Sequence, residues 1–240
     1  MNRDLQCYRD DGVGFTARYL TGATATATAS ATATAGRGRI RVARTLLTCA
    51  MAVQVLNEIR LPSESETAYR YINVHNPRCP LFYEFADEAW ACHPGLERHP
   101  VWGINWAGAA LICRHLGARL PTRFEWESFA SNNDPERTYP WGDAAPTFQL
   151  ANFGEHFGGT SVVSSFPASD LGLYDLAGNL SEWCSDRFET ADGRTAACER
   201  VVKGGAWSKD ASHLEIATSR GKWERLGTTT IGFRPVWDDS

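Results

Sequence analysis

The sequence predicts a loop-rich domain of the α+β class, and three observations carry that reading. Two capped helical segments stand close together at 105–116 and 122–131. After Ser131 no stretch keeps a helical or strand period for long, and the chain breaks into turns and short strands. Set in that region, and just before it, are dense phrases of Trp, Gly and acids: RLPTRFEWESFA (119–130), YPWGD (139–143), GLYDLAGNLSEWCSD (172–186), VVKGGAW (201–207) and IGFRPV (231–236). They are too irregular for periodic structure and too specific for random loop, so they read as ordered loops.

The elements follow in order. TGATATATASATATAGRGR (21–39) is an Ala/Thr tract with little to bury. Such a tract does not offset its ordering entropy, so residues 1–50 are expected to be disordered and the domain to span 61–240. TLLTCAMAVQVLNEIRL (45–61) is too short and too polar to cross a bilayer. Its Ala50-Met51-Ala52 resembles a cleavage triplet, but more than forty residues precede it, and a short amphipathic helix is the preferred reading. The compartment stays open: the cytoplasm is weakly favoured, and secretion follows if 45–52 belongs to a signal segment. Residues 71–90, with Pro77 and Pro80 before an apolar run that ends in acids, read as strand, turn and short helix.

Asn105 is placed to cap a helix through Leu116, with Trp106, Ala110, Cys113 and Leu116 on one face and Gly117 at the left-handed stop. Thr122 and Glu125 form a capping box: the hydroxyl accepts from the amide three residues on, and the carboxylate reaches back to the cap amide. Phe124, Trp126 and Phe129 give that second helix its apolar surface.

Composition narrows the function. A net charge of −4 with scattered Lys and Arg gives no reason to expect a nucleic-acid partner. Nine Trp suit a fold short of regular packing, most of them as core. The seven Cys contain no C-x-x-C pair, which removes the usual zinc, redox and haem-attachment patterns. Cys113 reads as a small buried hydrophobe, and Cys184 and Cys198 could be joined across a polar loop. His75, His93 and His99 do not have a recognised ligand spacing, and neither a nucleophile elbow nor a phosphate loop is present.

Taken together, HPVWGINW (99–106), RLPTRFEWE (119–127), YPWGD, ANFG (151–154), GLYDLAGNLSEW, KGGAW and IGFRPV resemble the sulfatase-modifying-factor family over Tyr71 to Trp237. That family includes formylglycine-generating enzymes and the C-terminal domain of ergothioneine-synthesis proteins. The resemblance implies the formylglycine-generating-enzyme fold, a C-type-lectin-like variant with two helices on a small twisted sheet. Oxidase members carry a cysteine pair between the G-G-[SA]-[WY] and G-F-R phrases, whose thiolates bind copper(I). Here that window, 208–230, has no Cys, so no copper is expected and formylglycine formation would need cysteines elsewhere. The six scattered His do not reproduce the ergothioneine branch's iron site.

The resemblance also implies two structural calcium sites. One would use Asp175 and Glu182 side chains with the Gly178 and Leu180 carbonyls. The other would use Asn152 and Glu155 side chains with the Phe153 and Phe157 carbonyls, Glu155 standing where the family more often has Asp. Calcium takes six to eight hard oxygens and tolerates irregular loops. The polar strip 208–230 is where such a scaffold presents a groove, and His213, Trp223 and Arg225 are the residues expected to face a ligand, with Trp207 and Arg220 structural. The function expected is a binding or accessory module for a peptide, protein or small molecule. The alternative is a divergent oxidoreductase tailoring a peptide or natural product. A retroelement-diversified ligand-binding protein would share the fold.

Overall fold

The computed structural model describes residues 30–35, 38–63, 70–190 and 192–239. Three helices and nine strands are defined among them, with long ordered loops between. Strands β1 (Ser30–Ala35) and β2 (Gly38–Ala43) form an antiparallel hairpin, and β2 also pairs with the last strand, β9 (Val236–Asp238), with Val42 opposite Val236. This corrects the expected disorder of 1–50 where the tract is described. Alternating Ala and β-branched Thr is a strand period, and β2 supplies a template whose Ile40 and Val42 are buried. Residues 1–29 lie outside the described residues.

Helix α1 (Cys49–Glu58) follows, capped by the Thr48 hydroxyl and burying Cys49, Ala52, Val55 and Leu56. The amphipathic-helix reading is the one that forms, and the domain's core begins at Ile40 rather than at Leu61. The short helix expected near 85–90 is replaced by a hairpin of β3 (Leu81–Glu84) and β4 (Ala89–Cys92). Glu88 takes the left-handed turn conformation, and Tyr83 and Trp90 pair edge to face across the strands.

Helix α2 (Trp106–His115) is capped by Asn105 as predicted, but its buried face is Gly108, Ala109, Ile112 and Cys113. Trp106, Ala110 and Leu116, expected inside, are only half-buried. Gly108 explains the rotation: a Cβ there would come 2.6 Å from the Tyr71 carbonyl oxygen, so this side of the helix meets backbone directly. Helix α3 (Arg123–Ser131) has the complete Thr122–Glu125 capping box and buries Trp126 and Phe129. Phe124, two residues before Trp126 and so on the other side of the helix, is 60% exposed.

The central sheet has the order β7 (Arg220–Trp223), β6 (Thr195–Lys203), β5 (Ser181–Glu189), β8 (Ile231–Gly232), antiparallel except for the β5–β8 pair. Both of its faces are covered. Trp183 and Val202 join the core built by α1, α2 and the β3–β4 hairpin, while their neighbours Cys184 and Val201 join the core under α3 and β2. That division is the two-residue strand period at work. Three Trp are buried and four more pack half-buried against the cores, and some of their indole N–H groups donate to carbonyls far along the chain, as Trp106 does to Cys184 in β5 and Trp207 to Thr229. No helix among the described residues is long and apolar enough to cross a membrane.

Candidate functional site

The segment after β6 is built by a double-glycine turn. Gly204 and Gly205 both have positive φ, and a Cβ on Gly205 would stand 2.8 Å from the His213 carbonyl oxygen, so the turn closes against the 3₁₀ turn Ala211–His213. Backbone bonds from other loops fix the strip. The Gly154 and Glu155 amides donate to the Lys209 and Trp207 carbonyls at 2.7 Å, and the Ile216 amide donates to the Thr138 carbonyl at 2.9 Å.

Aromatic rings gather around it. Ala151, Phe153, Ala177 and Leu214 form a buried floor against which Tyr139, Trp141 and Ala211 pack. Tyr139 and Trp141 stack at 5.3 Å, and Phe148 and His156 stack at 3.9 Å with Phe157 perpendicular to the His156 ring. Phe148 and Phe157 are 39% and 48% exposed. His213 stands in the chain between Ala211 and Leu214, which pack with these rings, and its Nδ1 lies 3.1 Å from Asp210 Oδ1. The Ser212 hydroxyl, and then His213, hold the Asp210 carboxyl down at about 2, so it stays anionic and orients the imidazole.

Of the three expected ligand-facing residues, only His213 lies in the segment whose Ala211 and Leu214 pack with these rings. Trp223 lies in β7 opposite Glu199, three residues beyond Arg220, and Arg225 follows in a turn whose Glu224 carbonyl accepts from the Trp106 amide. The period-free strip hid this: β7 carries Trp223 and Arg225 along β6, away from the glycine turn that holds His213. Trp207 is pinned as expected, whereas Arg220 stands exposed. The sequence reading missed Tyr139, Trp141, Phe148 and His156 as surface, and cast Phe157 only as a carbonyl ligand. The signal available was the aromatic spacing of YPWGD and of FQLANFGEHF (148–157).

The five free cysteines among the described residues are Cys49, Cys79, Cys92, Cys113 and Cys184, all outside the strip. Cys184 is a free buried thiol, so it is not bridged to Cys198. Burial pushes the Cys113 and Cys184 thiols far up and Cys79 up to about 11, which keeps them protonated and unreactive.

The first calcium set does not fit a cation. Glu182 is fully buried, and its two oxygens accept from the Arg234 guanidinium at 2.8–3.1 Å and from the Trp126 indole at 3.0 Å. Asp175 accepts from the Ser164 amide at 2.8 Å and from Asn179 at 3.3 Å. Burial pushes the Asp175 carboxyl above the usual range, only partly offset by the Ser164 amide and Arg234. A dication here would displace these donors and stand beside a guanidinium. The second set fits in part. Asn152 Oδ1 is buried and accepts from no protein group, but the Glu155 side chain is exposed and the Phe153 carbonyl accepts from the His156 amide. Among the described residues no three His, Cys, Asp or Glu side chains converge on one metal position.

Comparison with known proteins places this architecture. Residues 80–239 match the sulfatase-modifying factor enzyme 1-like domain. The chain is 35% identical over 153 residues to a Chlamydia pneumoniae protein named serine/threonine-protein kinase pkn1, covering 59% of this chain and 24% of that one. It is 35% identical over 167 residues to the mouse formylglycine-generating enzyme, covering 59% and 45%. It is 33% identical over 153 residues to the bovine inactive C-alpha-formylglycine-generating enzyme 2, covering 56% and 49%. The chain thus spans half or less of the length of these relatives. Among solved structures, CarF has a TM-score of 0.64 at 19% identity, covering 88% of this chain and 98% of that one. Treponema denticola variable protein 1 has 0.61 at 19%, covering 84% and 85%. At that identity the likeness is one of fold, and the fold is the formylglycine-generating-enzyme variant of the C-type-lectin-like scaffold. With two thirds of its length matched to the domain, the chain belongs to the sulfatase-modifying factor family.

Proposed function

We propose that this domain is a binding or accessory module that recognises a peptide, protein or small molecule on the aromatic face around residues 206–216, and that it does not form formylglycine. One observation carries the reading: the loop from Trp207 to the GFR phrase has no sulfur, and the free thiols among the described residues are in the two cores or on the β3–β4 hairpin. Copper(I) chemistry of the family's kind needs two thiolates on one accessible loop. In their place stands a rigid face of Tyr139, Trp141, Phe148, His156 and Phe157, with His213 as its polar handle. Rigid aromatic area at low entropic cost is what binding surfaces use. That a relative is named as an inactive member supports the reading.

The test is incubation of the protein with copper(I), oxygen, a thiol reductant and a Cys-x-Pro-x-Arg peptide, read by mass spectrometry and by copper(I) titration. The expected result is an unchanged peptide and no bis-thiolate complex. An aldehyde product, or tight two-sulfur coordination, overturns it. Stoichiometric iron or copper in the purified protein together with oxygen turnover would select the divergent-oxidoreductase alternative.

A further inference from the structure

Helix α2 and the start of α3 border an open cleft of about 500 Å³. It is bordered by Trp106, Ala110, Arg114, Ala118, Arg119 and Leu120. Trp106, Ala110 and Arg114 follow one another at four-residue spacing, so they share one face of α2. That face flanks the fully buried one, Gly108, Ala109, Ile112 and Cys113, and its Trp106 and Ala110 are half-buried at the edge of the same core. The part of Trp106 and Ala110 that the core leaves uncovered opens onto the cleft.

The walls are held before any ligand arrives. The Trp106 indole donates to the Cys184 carbonyl at 2.9 Å, and the Arg200 guanidinium covers its ring at 3.8 Å. Arg119 is locked by Glu125 at 2.7 Å on two nitrogens and by Asp238. Its donors are thus spent on two carboxylates, of which Glu125 also borders the cleft, and it offers a ligand only its flat face. Arg114 differs: it lines the cleft, is exposed, and no described carboxylate or carbonyl holds its guanidinium. The volume suits a small molecule, and of the two lining arginines Arg114 is the one without a carboxylate partner among the described residues, beside apolar and planar groups.

We propose that this cleft binds a small planar organic anion, its ring system against Trp106, Ala110 and Leu120 and its carboxylate or sulfonate on Arg114. The probe is 1-anilinonaphthalene-8-sulfonate, followed by fluorescence titration of the whole chain. The expected result is saturable one-to-one binding that Arg114→Glu weakens by about tenfold or more, since one charge-assisted contact is worth about that factor. Ala110→Trp, which fills the cleft, should abolish binding while the melting curve stays cooperative. The uncharged N-phenyl-1-naphthylamine should bind about tenfold more weakly, and Phe148→Ala with Phe157→Ala should leave the titration unchanged. The assignment is overturned if Arg114→Glu binds the probe like the parent, if the uncharged amine binds as tightly, if the Phe148/Phe157 variant abolishes the signal, or if no saturable binding is seen. Arg114→Glu changes an exposed side chain, so it keeps the proposal testable even if Ala110→Trp does not fold.

Discussion

Glu125 shows how one carboxylate serves two purposes. Its Oε2 accepts from the Thr122 amide at 2.8 Å, closing the capping box, while both oxygens take the Arg119 guanidinium. Burial alone would raise its pKa, but the Arg119 bonds and the Thr122 amide outweigh that, and the net shift is downward. A depressed folded-state value means the carboxylate stabilises the fold above the ordinary glutamate pKa near 4.5, and that this contribution is lost as pH falls through the folded value. Glu125→Gln should cost about 1 kcal/mol at pH 7, the usual scale of a cap, and the difference from the parent should be smaller at an acid pH below the ordinary glutamate value. Urea unfolding at the two pH values measures it. A gap that stays constant would mean that the charge contributes nothing.

At the scale of elements, what was legible was local. Asn105, Gly117 and the Thr122–Glu125 pair announce helix ends because capping is chemistry between residues three apart. The β3–β4 hairpin was not legible, because its turn is carried by Glu88 in a left-handed conformation rather than by a glycine. Nor was β2, whose partner is the C-terminal strand nearly two hundred residues on. The aromatic face escaped for the same reason: it is assembled from residues between 139 and 216, and only His213 lay in the segment where a groove was sought. The N-terminal strand gives a direct test. A chain starting at Gly38 should melt as cooperatively as the parent. One starting at Thr45 loses buried Ile40 and Val42, about 2 kcal/mol each, and the Ala43 carbonyl that holds Arg234. Loss of a sharp thermal transition in the shorter chain is the expected outcome. Equal melting of both would show that β2 is an ornament on an independent domain.

Across the whole molecule, one half-buried and one fully buried ion pair tie the loops to the sheet. Lys203 reaches Glu127, Ile216 and Ser219, joining β6 to α3 and to the 206–219 strip that carries part of the aromatic face. Desolvation lowers the Lys203 pKa, with the Glu127 bond opposing it. Arg234 spans further, donating to the Ala43 and Tyr174 carbonyls and to Glu182, with both partners of the ion pair at zero exposure. Such a pair adds little over an apolar packing, but halving it strands a charge. Arg234→Met should therefore cost about 3–5 kcal/mol, and Glu182→Gln in the same chain should recover part of that. The same variant separates the two roles offered for Glu182. If the guanidinium is the carboxylate's native counter-ion, millimolar calcium shifts the melting of the parent and of Arg234→Met by the same amount, whatever it binds elsewhere, because the cavity left by Arg234 lacks the six oxygens a calcium ion needs. A calcium-dependent rescue confined to the variant would show instead that Asp175, Glu182 and the Gly178 and Leu180 carbonyls form a cation cage that the arginine has displaced.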